Sequence, residues 1–156
     1  MSASIRITGA GFDPFALVLE SWESRLDDSE PVFQKMADQF GKTMTAQFRK
    51  QGGHTGPQWA PLAPGYAKWK QMHFPGKPIL QLTGLLRSSL VKRPFGVDEV
   101  WDKGMVVGTA VEYATYHQNG TDKMPARPII GKPTKHEMKS FSDTLHNWVV
   151  KGEVGV

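Results

Sequence analysis

Cysteine is absent from this sequence of 156 residues. Its absence excludes disulfides, thiolate metal sites and cysteine nucleophiles, and it is typical of proteins made in a reducing cytosol. Long apolar runs are absent too, so no membrane contact is expected, and residues 2–11 lack the basic and apolar regions of a signal peptide. With 39% hydrophobic and 22% charged residues, the composition is that of an ordinary globular protein, expected to form one domain over residues 1–156.

Acidic residues are missing from one long stretch of the chain. Residues 39–97 carry nine Lys/Arg and no Asp or Glu, whereas residues 1–38 carry three Lys/Arg against seven acids. The stretch is either a solvated basic face or a contact surface for nucleic acid or an acidic partner. An acidic first third beside a basic middle also suits head-to-tail contacts between identical subunits.

Metal-binding and catalytic patterns are also missing. The five histidines are not spaced as metal ligands: His54, His73, His117, His136 and His146. Glu112 and Asp122 stand singly and do not form the carboxylate cluster that suits Mg²⁺. A nuclease with His117 as base and Arg127 as phosphate clamp is conceivable, but a hydrogen bond of His117 within the turn that Gly120 permits is the simpler interpretation. We therefore expect no enzymatic activity, no cofactor and no bound metal.

Apolar residues at steps of three or four predict two helices in the first third of the chain. Asp13 and Pro14 begin the first, as N-cap and first helical residue. Ser29 is predicted to cap the second, which ends near residues 51–53 and buries its stripe in the core. The stripes are Phe15, Val18, Leu19, Trp22 and Leu26 in the first helix, and Phe33, Met36, Phe40, Met44 and Phe48 in the second.

A third amphipathic helix is predicted near the C-terminus. Thr134 and Glu137 have the spacing of a capping box, in which each side chain accepts from the other residue's backbone N–H. Gly152 follows the last helical turn. The apolar face consists of Met138, Phe141, Leu145, Trp148 and Val149.

Residues 51–79 combine many glycines and prolines with large aromatic side chains, a pattern too aromatic for plain disorder. We interpret this segment as an ordered arm, or one that orders on a partner, with a short helix at residues 64–72. Trp59, Tyr66 and Trp69 are its candidate contacts. Aromatic side chains between Lys68 and Lys70 could also stack on nucleic-acid bases.

The middle of the chain predicts smaller elements. Thr83 could cap a helical turn over residues 84–90 that buries Leu85, Leu86 and Leu90 and turns Arg87 outward. Residues 99–101 and 105–108 predict a hairpin, with Gly104 in its turn at a positive φ. Weak alternation at residues 2–8 predicts a short strand. Together these features predict an α+β fold, with helices flanking a small, mostly antiparallel sheet and a long Gly/Pro/aromatic loop.

Residues 106–131 join a short apolar strand to an aromatic turn and a proline-clamped arginine. The turn contains Tyr113, His117 and Gly120. Arg127 precedes a proline and follows Pro125 by two residues, so its backbone is restricted to an extended path. A rigid arginine of this kind suits a carboxylate contact, either within the chain or across a subunit boundary.

Three segments in this order resemble the virion morphogenesis (tail completion) proteins of tailed bacteriophages, as in Mu-like phages. They are residues 59–62 (WAPL) with Tyr66 and Lys70; residues 79–86 (ILQLTGLL); and residues 107–128, which contain VGT, the YATYHQNG turn and PARP. The resemblance covers about residues 40–131. It implies a structural, non-enzymatic protein of the head–tail neck, which forms a homo-oligomeric ring, commonly a hexamer.

The resemblance also implies a location and partners. We expect the protein at the head–tail junction of the virion, and in the host cytoplasm during assembly, beside other phage neck or tail proteins. Whether it acts as stopper, adaptor or tail terminator stays open. The expected subunit-interface residues are Trp59, Tyr66, Trp69, Tyr113, His117 and Arg127, and the expected DNA-facing residues are Lys68, Lys70 and Lys77. The alternative is a sequence-independent DNA-binding accessory protein, suggested by the basic middle.

Overall fold

The computed structural model describes residues 13–155, so the strand expected at residues 2–8 lies outside the described residues. In chain order the elements are α1 (Asp13–Asp27), α2 (Glu30–Arg49), α3 (Pro64–His73), α4 (Leu85–Val91), β1 (Val97–Trp101), β2 (Gly104–Gly108), α5 (Ala114–Asn119) and α6 (Lys135–Lys151). The predicted α+β class is confirmed. Helix α2 is central, because it packs against α4, both strands and α6.

The predicted boundary between α1 and α2 is confirmed at Ser29, which is the N-cap residue of α2. Its hydroxyl does not cap α2, however. It donates instead to the carbonyls of Arg25, at 3.1 Å, and Leu26, at 3.3 Å. The backbone N–H of Ser29 donates to the carbonyl of Asp102 at 3.0 Å, so this buried serine joins the end of α1 to the tip of the hairpin.

Strands β1 and β2 form the predicted hairpin as a two-stranded antiparallel sheet across the described residues. The register pairs Val97 with Gly108 and Trp101 with Gly104, which leaves a two-residue turn. The positive φ predicted for Gly104 is wrong. A side chain is excluded there for another reason, since a Cβ on Gly104 would lie 2.6 Å from the indole ring of Trp101.

The core lies between α2, α4 and the segments around Trp59 and Ile129. The α2 stripe is only partly buried: Met44 and Phe48 are inside, and Phe40 packs against the cluster. The buried cluster consists of Met44, Phe48, Trp59, Leu86, Leu90, Ala114 and Ile129.

Helix α4 forms where a helical turn was predicted, but its predicted core face is wrong at one position. Leu86 and Leu90 are buried, and Arg87 is exposed as expected. Leu85 is 56% exposed. The reason is helical geometry: positions four apart share a face, whereas adjacent positions point about 100° apart. Only one of two adjacent leucines can therefore face α2.

Helix α6 begins with the predicted capping box, in which both reciprocal hydrogen bonds are present, and ends at Gly152 with φ of 73°. Its apolar face is less buried than expected, because Met138 and Leu145 remain exposed. Helix α1 is clasped to the far end of α6. The guanidinium of Arg25 donates to the carbonyl of Val149 at 2.8 Å, and the indole N–H of Trp148 donates to the carbonyl of Arg25 at 2.8 Å.

Candidate functional site

An apolar groove with a volume of about 680 Å³ lies on the surface of residues 13–155. Its walls come from α3 and the residues before it, the segment leading into α4, the start of α5 and the loop at residues 123–127. These are the same three segments that carry the sequence resemblance, so the shared motifs build one surface. The lining is Leu62, Ala63, Tyr66, Lys70, Leu80, Gln81, Leu82, Thr83, Gly84, Leu85, Leu86, Tyr113, His117, Lys123, Met124, Pro125 and Arg127.

The groove is electrostatically one-sided. Within residues 13–155, its lining includes Lys70, Lys123 and Arg127 but no Asp or Glu. Cations beside low-dielectric walls produce a positive potential that attracts acidic groups. The groove therefore favours an occupant that is apolar and negatively charged.

Arg127 is 3% exposed and forms the floor of this site. Its Nε donates to the carbonyl of Ala60 and its Nη2 to the carbonyl of Pro61, each at 2.8 Å. The acceptors are backbone carbonyls of the same chain rather than a carboxylate, and burial lowers the pKa of Arg127. The arginine thus fixes the path of the segment that follows Trp59. A direct contact of Arg127 with another subunit stays a prediction.

Trp59 lies behind the groove and is 5% exposed. Its ring meets the ring of Phe48 edge-on at 5.5 Å. The indole N–H donates to the carbonyl of Pro128 at 2.7 Å, and the amide of the buried Gln47 donates to the same carbonyl at 3.3 Å. Trp59 therefore packs within the subunit, and almost none of its surface is exposed for the predicted interface contact.

The turn around α5 is locked to the PARP segment. The side chain of Gln118 accepts from the backbone N–H groups of Ile129, at 2.8 Å, and Ile130, at 3.0 Å, and donates to the carbonyl of Ile130. Gly120 has φ of 76°, and a Cβ there would lie 2.7 Å from the backbone nitrogen of Ala126. The Gln118 side chain thus makes the backbone hydrogen bonds at residues 129–130 that a neighbouring strand would otherwise make. Glycine at position 120 permits the close approach of the backbone at Ala126.

His117 faces the groove from α5. Its Nδ1 is buried and has no hydrogen-bond partner among the described residues, so the predicted hydrogen bond within the turn is wrong for this atom. Burial lowers the pKa of His117, and the charge of Arg127 lowers it further. Tyr113 meets the imidazole edge-on at 6.0 Å. The site thus contains a partly buried imidazole whose Nδ1 has no hydrogen-bond partner among the described residues.

Exposed aromatic side chains form a ladder along α3. The ring of Tyr66 stacks on that of Trp69 at 5.5 Å, and Trp69 stacks on His73 at 5.0 Å. Tyr66 also lines the groove. Of the predicted interface residues, Tyr66, Trp69 and Tyr113 are the ones that remain exposed.

The three predicted DNA-facing lysines do not share one environment. Lys68 and Lys77 are exposed. Lys70 is 5% exposed, and its ammonium donates to the carbonyl of Pro78 at 2.5 Å. Burial lowers the pKa of Lys70, and the nearby charge of Lys77 lowers it further. Lys70 therefore has a structural role within the subunit, which leaves Lys68 and Lys77 as the candidates for DNA contact.

A buried polar cluster was missed by sequence reasoning. Glu137, which is 5% exposed, accepts hydrogen bonds from the hydroxyl of Thr43, from the backbone and side chain of Thr134, and from Nε2 of His54 at 3.1 Å. Burial raises the pKa of Glu137, but these hydrogen bonds outweigh it and lower the pKa to about 2. The cluster ties α6 to α2 and to the loop after α2. Only the capping box was visible in the sequence, because His54 lies far from Glu137 along the chain.

Neither a metal site nor a membrane span is evident in the part of the chain that the structure describes. Residues 13–155 contain no group of three or more His, Asp or Glu side chains placed to hold a metal ion. None of their helices is both long and apolar enough to cross a membrane.

The chain belongs to the phage virion morphogenesis family, whose model matches residues 12–150. It is similar to the Mu-like prophage FluMu G protein 1 of Haemophilus influenzae, with 31% identity over 106 residues, which is 67% of this chain and 68% of that protein. No solved structure gives a match. The resemblance seen in the motifs is confirmed, and family membership supports a structural or assembly role in a phage virion, in association with other virion proteins.

Proposed function

We propose that this protein is a structural subunit of the head–tail neck, where copies of it form a homo-oligomeric ring that completes the tail or joins it to the head. The carrying observation is the groove: the three shared segments converge on it, and it is apolar, basic and part of a rigidly held surface. A concave surface that combines apolar area with charge suits contact with another macromolecule.

The geometry offers little support for the nuclease alternative. Arg127 would have to hold a phosphate, but its Nε and Nη2 are engaged by carbonyls of its own chain. His117 has no partner among the described residues that would orient it as a base. A base without an orienting group and a clamp without free donors do not make a phosphodiesterase. We therefore propose a non-enzymatic role.

Electron microscopy of a lysate from a phage that lacks this gene tests the neck assignment. We expect full heads beside separate tails, because the joining surface would be missing. Tails of abnormal length would indicate tail termination specifically. Normal joined virions would contradict the neck role and would favour the DNA-binding accessory protein, for which the free chain should bind DNA tightly and in a salt-sensitive manner.

Contact with packaged DNA is a separate proposal, supported by the exposed Lys68 and Lys77 in the acid-free part of the chain. The variant K68A/K77A is expected to reduce the fraction of particles that retain DNA while leaving joined particles intact, because phosphate attraction needs charge and no base contact. The measurement is the ratio of filled to empty heads among joined particles.

The matched control is K132A/K135A, which removes the same charge from two exposed lysines outside the acid-free stretch. It should retain DNA normally if position rather than net charge decides the effect. Loss of joined particles in K68A/K77A would instead assign these lysines to a protein interface. Lys70 is left unchanged because its ammonium is buried and its removal would disturb the fold.

A further inference from the structure

Helix α1 presents an apolar stripe that the other described residues, up to residue 155, leave exposed. Phe15, Leu19 and Leu26 are four and seven residues apart and therefore lie on one face, and each is largely exposed. Glu20 and Glu23 are exposed on the same helix. The clasp to α6 uses Arg25, which points to a different side of α1. An exposed apolar stripe of this size is typical of a surface that another protein covers.

The groove is complementary to α1 in chemistry. It has apolar walls and no acid among the described residues, and its exposed cation is Lys123, since Lys70 and Arg127 are buried and donate to carbonyls of their own chain. Helix α1 has an apolar stripe with Glu20 and Glu23 on one side of it. Amphipathic helices bind apolar grooves through anchors spaced at three, four or seven residues, the spacing found in the α1 stripe. The partnerless Nδ1 of His117 gives the groove a further polar atom that a bound segment could satisfy.

Groove and helix are separate surfaces of one subunit, since no α1 residue described by the structure lines the groove. Two different complementary surfaces on identical subunits produce a head-to-tail contact, and such contacts close into rings when the rotation between subunits permits. In such a contact each copy inserts its α1 into one neighbour and receives the α1 of the other neighbour in its groove, so no additional protein is needed.

We infer that α1 of one copy binds in the groove of the next copy, and that this contact closes the ring. The inference rests on the proposed ring and specifies which surfaces form it. Phe15, Leu19 and Leu26 would cover the apolar walls beside Leu85, and Glu20 and Glu23 would approach Lys123. The same contact would cover Leu85, which is exposed on α4 of the isolated chain.

Thiol crosslinking tests this contact directly, because the chain has no cysteine of its own. The variant L19C/L85C places one thiol on the α1 stripe and one in the groove, both at exposed positions. It is incorporated into phage particles, treated with a short bismaleimide and separated on a denaturing gel. We expect a ladder of covalent oligomers whose last rung gives the number of subunits in the ring.

The matched control is S24C/L85C, which moves the helix thiol to an exposed position on another side of α1. It should remain a monomer band. Circular dichroism checks that both variants are folded, and E23C/L85C replaces L19C/L85C if loss of Leu19 impairs folding.

The outcomes separate this inference from the proposed function. A ladder in L19C/L85C but not in S24C/L85C supports the contact. Monomer in both variants, or ladders of equal strength in both, overturns the contact but leaves the neck role intact if the protein is present in the particle. Absence of the protein from joined particles overturns the neck role, and this inference with it.

Discussion

Replacing Arg127 by alanine is expected to lower the free energy of unfolding of the isolated chain by roughly 3 kcal/mol. Two hydrogen bonds from a charged donor would be lost, and the carbonyls of Ala60 and Pro61 would be left without these donors. Each such bond contributes about 1.5–3 kcal/mol, and water can replace part of this loss because Ala60 is only partly buried and Pro61 is exposed. Urea denaturation followed by tryptophan fluorescence measures the effect as a lower midpoint at unchanged slope.

Two further variants make this measurement decisive. R87A removes an exposed arginine and should change the free energy of unfolding by less than about 0.5 kcal/mol. R127K keeps the charge but cannot donate in a planar fork to two neighbouring carbonyls, so it should recover only part of the loss. If R127A leaves the isolated chain as stable as the wild type, the carbonyl contacts are unimportant and Arg127 acts only between subunits.

Acid should remove a contribution of about 3 kcal/mol that Glu137 makes to the free energy of unfolding. The pKa of this carboxyl is lowered from its ordinary 4.5 to about 2 in the folded chain. When the pKa of a carboxyl is lower in the folded chain than in the unfolded chain, the charged carboxylate stabilises the folded state. This contribution is complete above the unfolded-state pKa and is lost as the pH falls towards the folded-state pKa. The loss should therefore occur between about pH 4.5 and pH 2.

The variant E137Q assigns that pH dependence to one residue. Glutamine has the shape of glutamate but lacks its charge and offers one carbonyl acceptor in place of two carboxylate oxygens. We expect E137Q to be less stable than the wild type at pH 7, with a difference that narrows as pH falls below 4.5. E112Q, at an exposed position, is the control. A difference that stays constant across this range would show that the pKa of Glu137 is not lowered in the folded chain.

Features decided by neighbouring residues were predictable from the sequence. The capping box of Thr134 and Glu137, the end of α6 at Gly152 and the presence of the hairpin, though not its turn, depend on groups within a few residues of one another. The buried half of the α2 stripe followed from helical periodicity in the same way. These interactions are local, so a single sequence contains the information that they require.

Features decided by distant contacts were not predictable. The carbonyl of Pro128 accepts from Trp59, which is 69 residues away, and Glu137 is bonded to His54, which is 83 residues away. In a Gly/Pro-rich segment, the sequence around a tryptophan or lysine does not indicate whether its side chain faces solvent or packs against the core of its own chain. Trp59 and Lys70 were therefore expected at a surface, and both are buried within the subunit.

The groove contains some of the residues singled out in the sequence, but its shape was not predictable. Tyr66, Lys70, Tyr113, His117 and Arg127 all line the groove, although they come from three separate segments. They were identifiable because they are aromatic or basic residues within the segments that carry the family resemblance. The sequence could not reveal that these segments meet in space, since that depends on the hydrogen bonds of Arg127 to residues 60–61.

The attachment of α1 to the rest of the chain has a consequence for fidelity of assembly. Helix α1 packs on α6 and keeps apolar residues exposed, so we expect it to open at a lower free energy than α2, which packs against α4, both strands and α6. A segment that becomes ordered on contact binds with lower affinity for the area that it buries, because ordering opposes binding. If α1 joins neighbouring copies as inferred above, early contacts between two copies would be short-lived, and an incorrectly joined pair could separate before the assembly closes.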